Sequence, residues 1–206
     1  PSRDGDLANY ERDGALVRRN DPNKPLYKAE FWDKVKQLDQ DGNEADPSYG
    51  CMPAGVPRMG PPDKIVQTAN EMVFLYVAPA ARGWGDQYRV IPLDGRKHTP
   101  LQDLDGTWKG ESIGHWEGDT LVVDTIGVKE SVQGYNNLPH SEQMRITERI
   151  RRVSPERLDD QVTIEDPLTL EKPVTYTLVY KRLDDYEMVE FVCDNNREYI
   201  DENNIV

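Results

Sequence analysis

"ESIGHWEGDTLVVDTIG", residues 111 to 127, decides how this chain folds. Two runs rich in Ile, Trp, Thr, Leu and Val flank "EGD" at 117–119, a connection short enough to make a hairpin of two antiparallel strands. In an extended strand over 111–118, Glu111, Ile113, His115 and Glu117 point to one face, and Ser112, Gly114 and Trp116 to the other. His115 and Trp116 therefore cannot both face the interior. Either Trp116 fills the core and His115 is solvated, or His115 lines a polar cavity and Trp116 packs outside.

The same pattern repeats on both sides of this hairpin. Strands are expected at "KIVQTA" (64–69), "EMVFLYV" (71–77), "QYRVIP" (87–92), "QMRITERIRRV" (143–153), "RLDDQVTIED" (157–166), "VTYTLVYKRL" (174–183) and "YEMVEFVC" (186–193). Their connectors, such as "LDGRK", "SPE" and "LDD", are turn chemistry, mostly too short for a crossover helix, so neighbours should pair antiparallel. Leu158, Val162 and Ile164 share one parity, and Val174, Tyr176, Leu178 and Tyr180 another, which gives the sheet an inward face. The expected fold is all-β, an antiparallel meander closing into a lipocalin- or calycin-like barrel to remove its edges; a two-sheet sandwich fits the same alternation.

The 206 residues suit a single domain, with 1–50 an extension and 51–206 the barrel. Within the extension "PLYKAEFWDKVKQL" (25–38) has helical spacing of Leu26, Phe31, Val35 and Leu38, and a helix is expected there. The proline- and glycine-rich "CMPAGVPRMGPPDK" (51–64) reads as a crossing segment, neither helix nor central strand. A formal net charge of −13 argues against nucleic acid or anionic membrane as partners. No apolar run reaches the 18 to 20 residues that span a bilayer, and "PSRDGDLANYERDG" lacks a signal-peptide core, so a soluble chain is expected. Cys51 and Cys193 have no zinc-ligand spacing and fit either two buried thiols or one disulfide, which would add about 4 to 5 kcal/mol on a chain-entropy account. The disulfide, and with it an exported protein, is the expectation.

The blocks "GHWEGDTL" (114–121), "PHSE" (139–142), "VTIEDP" (162–167), "CMPAGVPR" (51–58) and "VCDNN" (192–196) resemble a widespread family of uncharacterised exported bacterial proteins, in which the position of His115 is usually Arg. The resemblance covers roughly residues 50 to 198. It implies a periplasmic or secreted setting, strengthens the Cys51–Cys193 bridge, and carries no reaction. More loosely, "GTWKG" and the Gly-x-Trp phrase resemble calycin barrels.

The candidate chemistry centres on histidine. In an extended "PHSE", His140 and Glu142 lie on one face, where the carboxylate could orient the imidazole as a general base; a structural hydrogen bond is the plainer alternative. His115 would be a second acid/base or oxyanion donor. His98, His115, His140 and Glu142 could gather at a barrel mouth around zinc, copper or manganese, but their spacing lacks metal-site regularity, and no metal is assigned. Asp124, in an otherwise apolar strand, faces solvent or a pocket. Arg145, Arg149 and Arg151 share a face, for cross-strand ion pairs or for an anionic ligand. Tyr176, with other aromatic residues, could stack on a ligand or fill the core. No nucleophile elbow, Walker loop, dinucleotide fingerprint or EF-hand is present.

These residues imply a cofactor-independent lyase or isomerase acting on a small polar or aromatic molecule, with His140, Glu142 and His115 catalytic and Arg145, Arg149, Tyr176 and Asp124 binding substrate. The alternatives are a non-catalytic periplasmic carrier using the same cavity, and an interaction protein of a larger assembly. Oligomeric state is not encoded in any feature of the sequence.

Overall fold

A computed structural model describes residues 27–31, 34, 52–53, 55–77, 87–130 and 139–188. Among these, the alternating segments form β1 (Lys64–Gln67), β2 (Glu71–Tyr76), β3 (Gln87–Pro92), β4 (Glu111–Glu117), β5 (Thr120–Ile126), β6 (Arg145–Ser154), β7 (Arg157–Glu165) and β8 (Val174–Lys181). The fold is all-β, and every pairing is antiparallel between sequence neighbours. The 111–127 stretch is the hairpin β4–β5, turning at Gly118, whose φ of +62° suits a residue without Cβ.

The strands do not close into a barrel, which corrects the sequence expectation. They form a three-stranded sheet, β1-β2-β3, and a five-stranded sheet, β4-β5-β6-β7-β8. The break falls in the connector 93–110, where a turn at Asp94–Gly95, Pro100 and a 3-10 turn at Leu101–Asp103 replace the alternation a bridging strand needs. The connector makes its one backbone bridge to the second sheet among the described residues at the parallel pair Thr107–Val128.

The two sheets nonetheless share one core. Met72 and Phe74 of β2 and Ile91 of β3 belong to the same buried cluster as Leu121 and Val123 of β5, Ile146 and Ile150 of β6, and Val162 of β7. Each such side chain stabilises the fold by roughly 1.5–3 kcal/mol relative to exposure. Gly114 lets the sheets meet: a Cβ there would lie 2.9 Å from Ile91 Cγ2 and 2.9 Å from Leu93 Cδ2. The proline-rich crossing segment turns over 56–59 and seats Val56 and Met59 in this core.

Among the described residues no helix is seen over 27–31, where the expected helix of 25–38 should begin. These residues make a bridge from Tyr27 to Leu170 and a 3-10 turn at Ala29–Phe31, with Tyr27 buried and its hydroxyl donating to Pro139 O at 2.7 Å, and Lys34 is helical. Pairing with a loop of the sheet thus overrides the local helical spacing at Tyr27. Most of the remaining positions of 25–38 lie outside the described residues, as do Cys51 and Cys193. The ninth expected strand, 186–193, is irregular over 186–188, and its remainder lies outside them too.

Candidate functional site

Period-two alternation puts one polar residue from each of several strands onto the inner faces. On β3, Arg89 lies between Gln87 and Ile91; on β6, Glu148 between Ile146 and Ile150; on β7, Asp160 between Leu158 and Val162. Their exposures are 4, 5 and 2%, so three ionisable side chains sit inside the protein. Arg89 is the hub. Its Nε donates to Ser112 Oγ at 2.9 Å, Nη1 to Glu148 Oε1 at 3.0 Å, and Nη2 to Thr125 Oγ1 at 2.7 Å and to Glu148 Oε2. Burial works against the guanidinium charge, but Glu148 outweighs it and holds Arg89 above its ordinary value. The ion pair ties the three-stranded sheet to the five-stranded one, since Arg89 belongs to the first and all its partners to the second.

Asp160 completes this cluster without a countercharge of its own. Burial, then the charge of Glu148, push its carboxyl well above the carboxylate range against the pull of Arg89. Its Oδ2 accepts from the Tyr180 hydroxyl at 3.2 Å, and burial followed by Asp160 raises that phenol. Oδ1 has no hydrogen-bond partner among the described residues. Asp160 is one of the residues lining a cavity of about 10 Å³, with Tyr76, Glu148, Phe74 and Ile65, about the volume of one water.

Above that cavity opens a cleft of about 830 Å³ between the sheets, within the size of small-molecule sites. Pro62, Ile65, Phe74, Ile150, Leu158 and Tyr180 line both spaces. Met72, Leu121 and the exposed Trp116 extend the apolar wall, and Lys64, Arg152 and Lys181 are among the charged residues lining it. The hairpin question is thereby answered: Trp116 faces inward but lines the cleft instead of filling the core.

The histidines go elsewhere. His115 is exposed on the outer face, its Nε2 3.2 Å from Glu117 Oε1. His140 is buried, its Nδ1 3.2 Å from Ser141 O, and burial lowers its pKa. Glu142 is exposed in a turn, not an extended segment, so the same-face argument that paired it with His140 does not hold. The "PHSE" and "VTIEDP" blocks instead meet through Asp166, which accepts from Ser141 N and Ser141 Oγ, both at 2.7 Å, and from the Leu168 and Thr169 amides. His98 latches the connector to the outer face: Nδ1 is 2.9 Å from Glu111 Oε1 and Nε2 3.2 Å from Asp124 Oδ2. Burial would raise the Glu111 carboxyl, but hydrogen bonds from Thr99 and His98 outweigh it and hold it below its ordinary value. No hydrogen bond joins any two of His98, His115, His140 and Glu142, and no metal-binding group of His, Cys, Asp or Glu is gathered among the described residues.

The expected substrate ligands also lie off the cleft. Arg145 clamps Asp124 through Nε and Nη2 at 2.7 and 2.6 Å, and Arg149 reaches Glu117 at 2.7 Å, all on the outer face. Tyr176 is inward and 2% exposed, within the apolar core. Sequence reasoning passed over Arg89, Glu148 and Asp160, although each is an ionisable residue on the inward parity of its strand. Asp160 in particular sits midway along the Leu158–Val162–Ile164 row that defined the inner face of β7.

No protein-family model, curated protein or solved structure matches this chain.

Proposed function

We propose that the protein binds a small, partly apolar organic molecule in the cleft between the two sheets. The observation that carries this reading is a cleft of about 830 Å³ whose walls combine apolar with charged side chains and which adjoins a buried, incompletely bonded carboxyl group, the combination expected of a ligand site. In the exported setting that the sequence blocks imply, such a site would capture or carry its ligand.

The lyase or isomerase reading is supported by a different observation from the one that suggested it. Asp160 and Tyr180 are an ionisable pair within hydrogen-bond reach, and Tyr180 lines the cleft with Asp160 behind it, whereas His140, Glu142 and His115 do not line it. A proton-handling role in the cleft would belong to Tyr180, whose hydroxyl is bonded to Asp160.

Ligand-observed NMR with a panel of single-ring aromatic and short aliphatic compounds tests the binding reading. Binders should be found, and Leu158→Trp, which fills the cleft from β7, should displace them while leaving the far-ultraviolet spectrum unchanged. Binding undiminished in that variant would place the site elsewhere.

A further inference from the structure

Alternation along β6 splits its arginines between two environments. Arg145, Arg149 and Arg151 fall on the outer parity, where they hold the carboxylates of Asp124, Glu117 and Asp119. Arg152 follows Ile146, Glu148 and Ile150 on the inner parity and lines the cleft. The register sets it beside Leu158 of β7, which in turn pairs with Tyr180 of β8. A guanidinium, an apolar side chain and a phenol thus form one row across the cleft wall.

Unlike those neighbours, Arg152 has no carboxylate partner among the described residues. Its Nε donates to Ser154 O at 3.3 Å and its Nη2 to Pro155 O at 2.9 Å. The two carbonyls fix the guanidinium along one edge. Both Nη1 hydrogens and one on Nη2 are left without a partner among the described residues. The acids nearby do not answer this charge: Asp119, which also lines the cleft, is drawn to Arg151 at 2.9 Å, Asp63 accepts from the Val77 amide, and Glu156 from the Ser154 hydroxyl. Arg157 and Arg182 are engaged by Asp159 and Asp184, whereas Lys64 and Lys181 add two charges without an ion pair among the described residues. The cleft is therefore lined by five cationic residues and three acidic ones, in a chain that has 25 and 38 overall. Such a local reversal of sign attracts anions.

The chemistry of the anion can be narrowed. The open edge of the guanidinium presents two parallel N–H groups, which match the two oxygens of a carboxylate. Phe74, Leu121, Ile150 and Leu158, with Trp116 at the rim, make the rest of the wall apolar, so the body attached to the carboxylate is hydrocarbon or aromatic. A second anionic group on that body would be desolvated against these walls without a countercharge. Resting on the cleft-binding reading above, we propose that the cleft takes an aromatic or aliphatic monocarboxylate, its carboxylate on Arg152 and its apolar body along Trp116, Leu121, Ile150 and Leu158. Lys64 and Lys181 draw the anion in against the negative charge of the whole chain.

The compounds 2-naphthylacetate and 2-naphthylacetamide differ in charge but hardly in shape, and each is titrated into the full chain by calorimetry at neutral pH and low salt. The acid should bind about tenfold more tightly than the amide, and the preference should shrink in about 0.5 M salt. Arg152→Met, which keeps an apolar stem and removes the charge, should bring the acid down to the level of the amide. The affinity of the amide itself should stay within about twofold, showing that the cleft is still formed. Arg152→Lys, with a point charge and no planar fork, should recover a preference of about threefold. Equal binding of acid and amide by the unaltered chain, or a preference that survives Arg152→Met, would overturn the role of Arg152 and leave the cleft reading standing. Failure of both probes to bind would remove the two together.

Discussion

Replacing Glu148 with Gln tests the buried cluster most directly. The substitution preserves shape but removes the charge opposite Arg89, and the two side chains are only 7 and 3% exposed. Stripping one partner from a desolvated pair leaves the other buried without compensation, at about 3–5 kcal/mol. The structure supplies a partial remedy. Asp160 is held neutral partly by the charge of Glu148, while Arg89 pulls in the opposite direction. With Glu148 neutralised, Asp160 should ionise and serve as counterion. Glu148→Gln alone should therefore lose about 2–3 kcal/mol at neutral pH, and Glu148→Gln/Asp160→Asn the full 3–5 kcal/mol. Because Asp160→Asn by itself removes the cost of keeping the carboxyl protonated and should stabilise at neutral pH, the full 3–5 kcal/mol is read against that single variant, and the double-mutant cycle should show a coupling of at least about 1 kcal/mol. Urea unfolding with unchanged m-values is the assay. Glu148→Gln within about 0.5 kcal/mol of wild type, or a cycle without coupling, would refute the account.

Asp160→Asn should also alter the pH dependence of stability. A carboxyl whose folded pKa lies above its ordinary 3.8 contributes its full stability below that value and loses it as pH rises toward the folded value. The variant has no such loss, so its stability relative to wild type should increase from pH 4.5 to 7, by up to about 1.4 kcal/mol per pH unit; a flat difference in urea midpoints would count against a neutral Asp160. Gly114→Ala should destabilise by about 1–3 kcal/mol through overlap with Ile91 and Leu93. Gly118→Ala has open space around it and should cost only about 1 kcal/mol for its left-handed backbone, a contrast that thermal melts of the two variants would check. Asp166→Ala should lose about 3 kcal/mol by orphaning the donors of Ser141, Leu168 and Thr169, and hydrogen exchange should accelerate at the Ser141 and Thr169 amides.

Much of the architecture is legible in local pattern. The β4–β5 hairpin can be read from "EGD" and its flanking alternation, and the same rule places most of the other strands within a residue or two. The antiparallel order follows from short connectors at most turns; β5 and β6 pair across the long connector 127–144, whereas β3 and β4 do not pair across the equally long 93–110. At Tyr27 a bridge and a buried hydroxyl bond take the place of the helical turn that the spacing over 25–38 predicts. An extended "PHSE" would set His140 beside Glu142, but Glu142 enters a turn at 142–143 that Asp166, well removed along the chain, ties down through Ser141.

The amino-acid sequence alone determined the all-β class, the pairing order within each sheet and the inward faces of β7 and β8, because these rest on a period of two and on turns a few residues long. Only the tertiary structure decided that the sheets stay separate, that Trp116 borders a cleft, and that Arg89, Glu148, Asp160 and Tyr180 converge beneath it. Such convergence depends on how two sheets stack, and stacking is governed by side-chain volumes summed over the whole core, such as the missing Cβ of Gly114 under Ile91 and Leu93, which no local periodicity records.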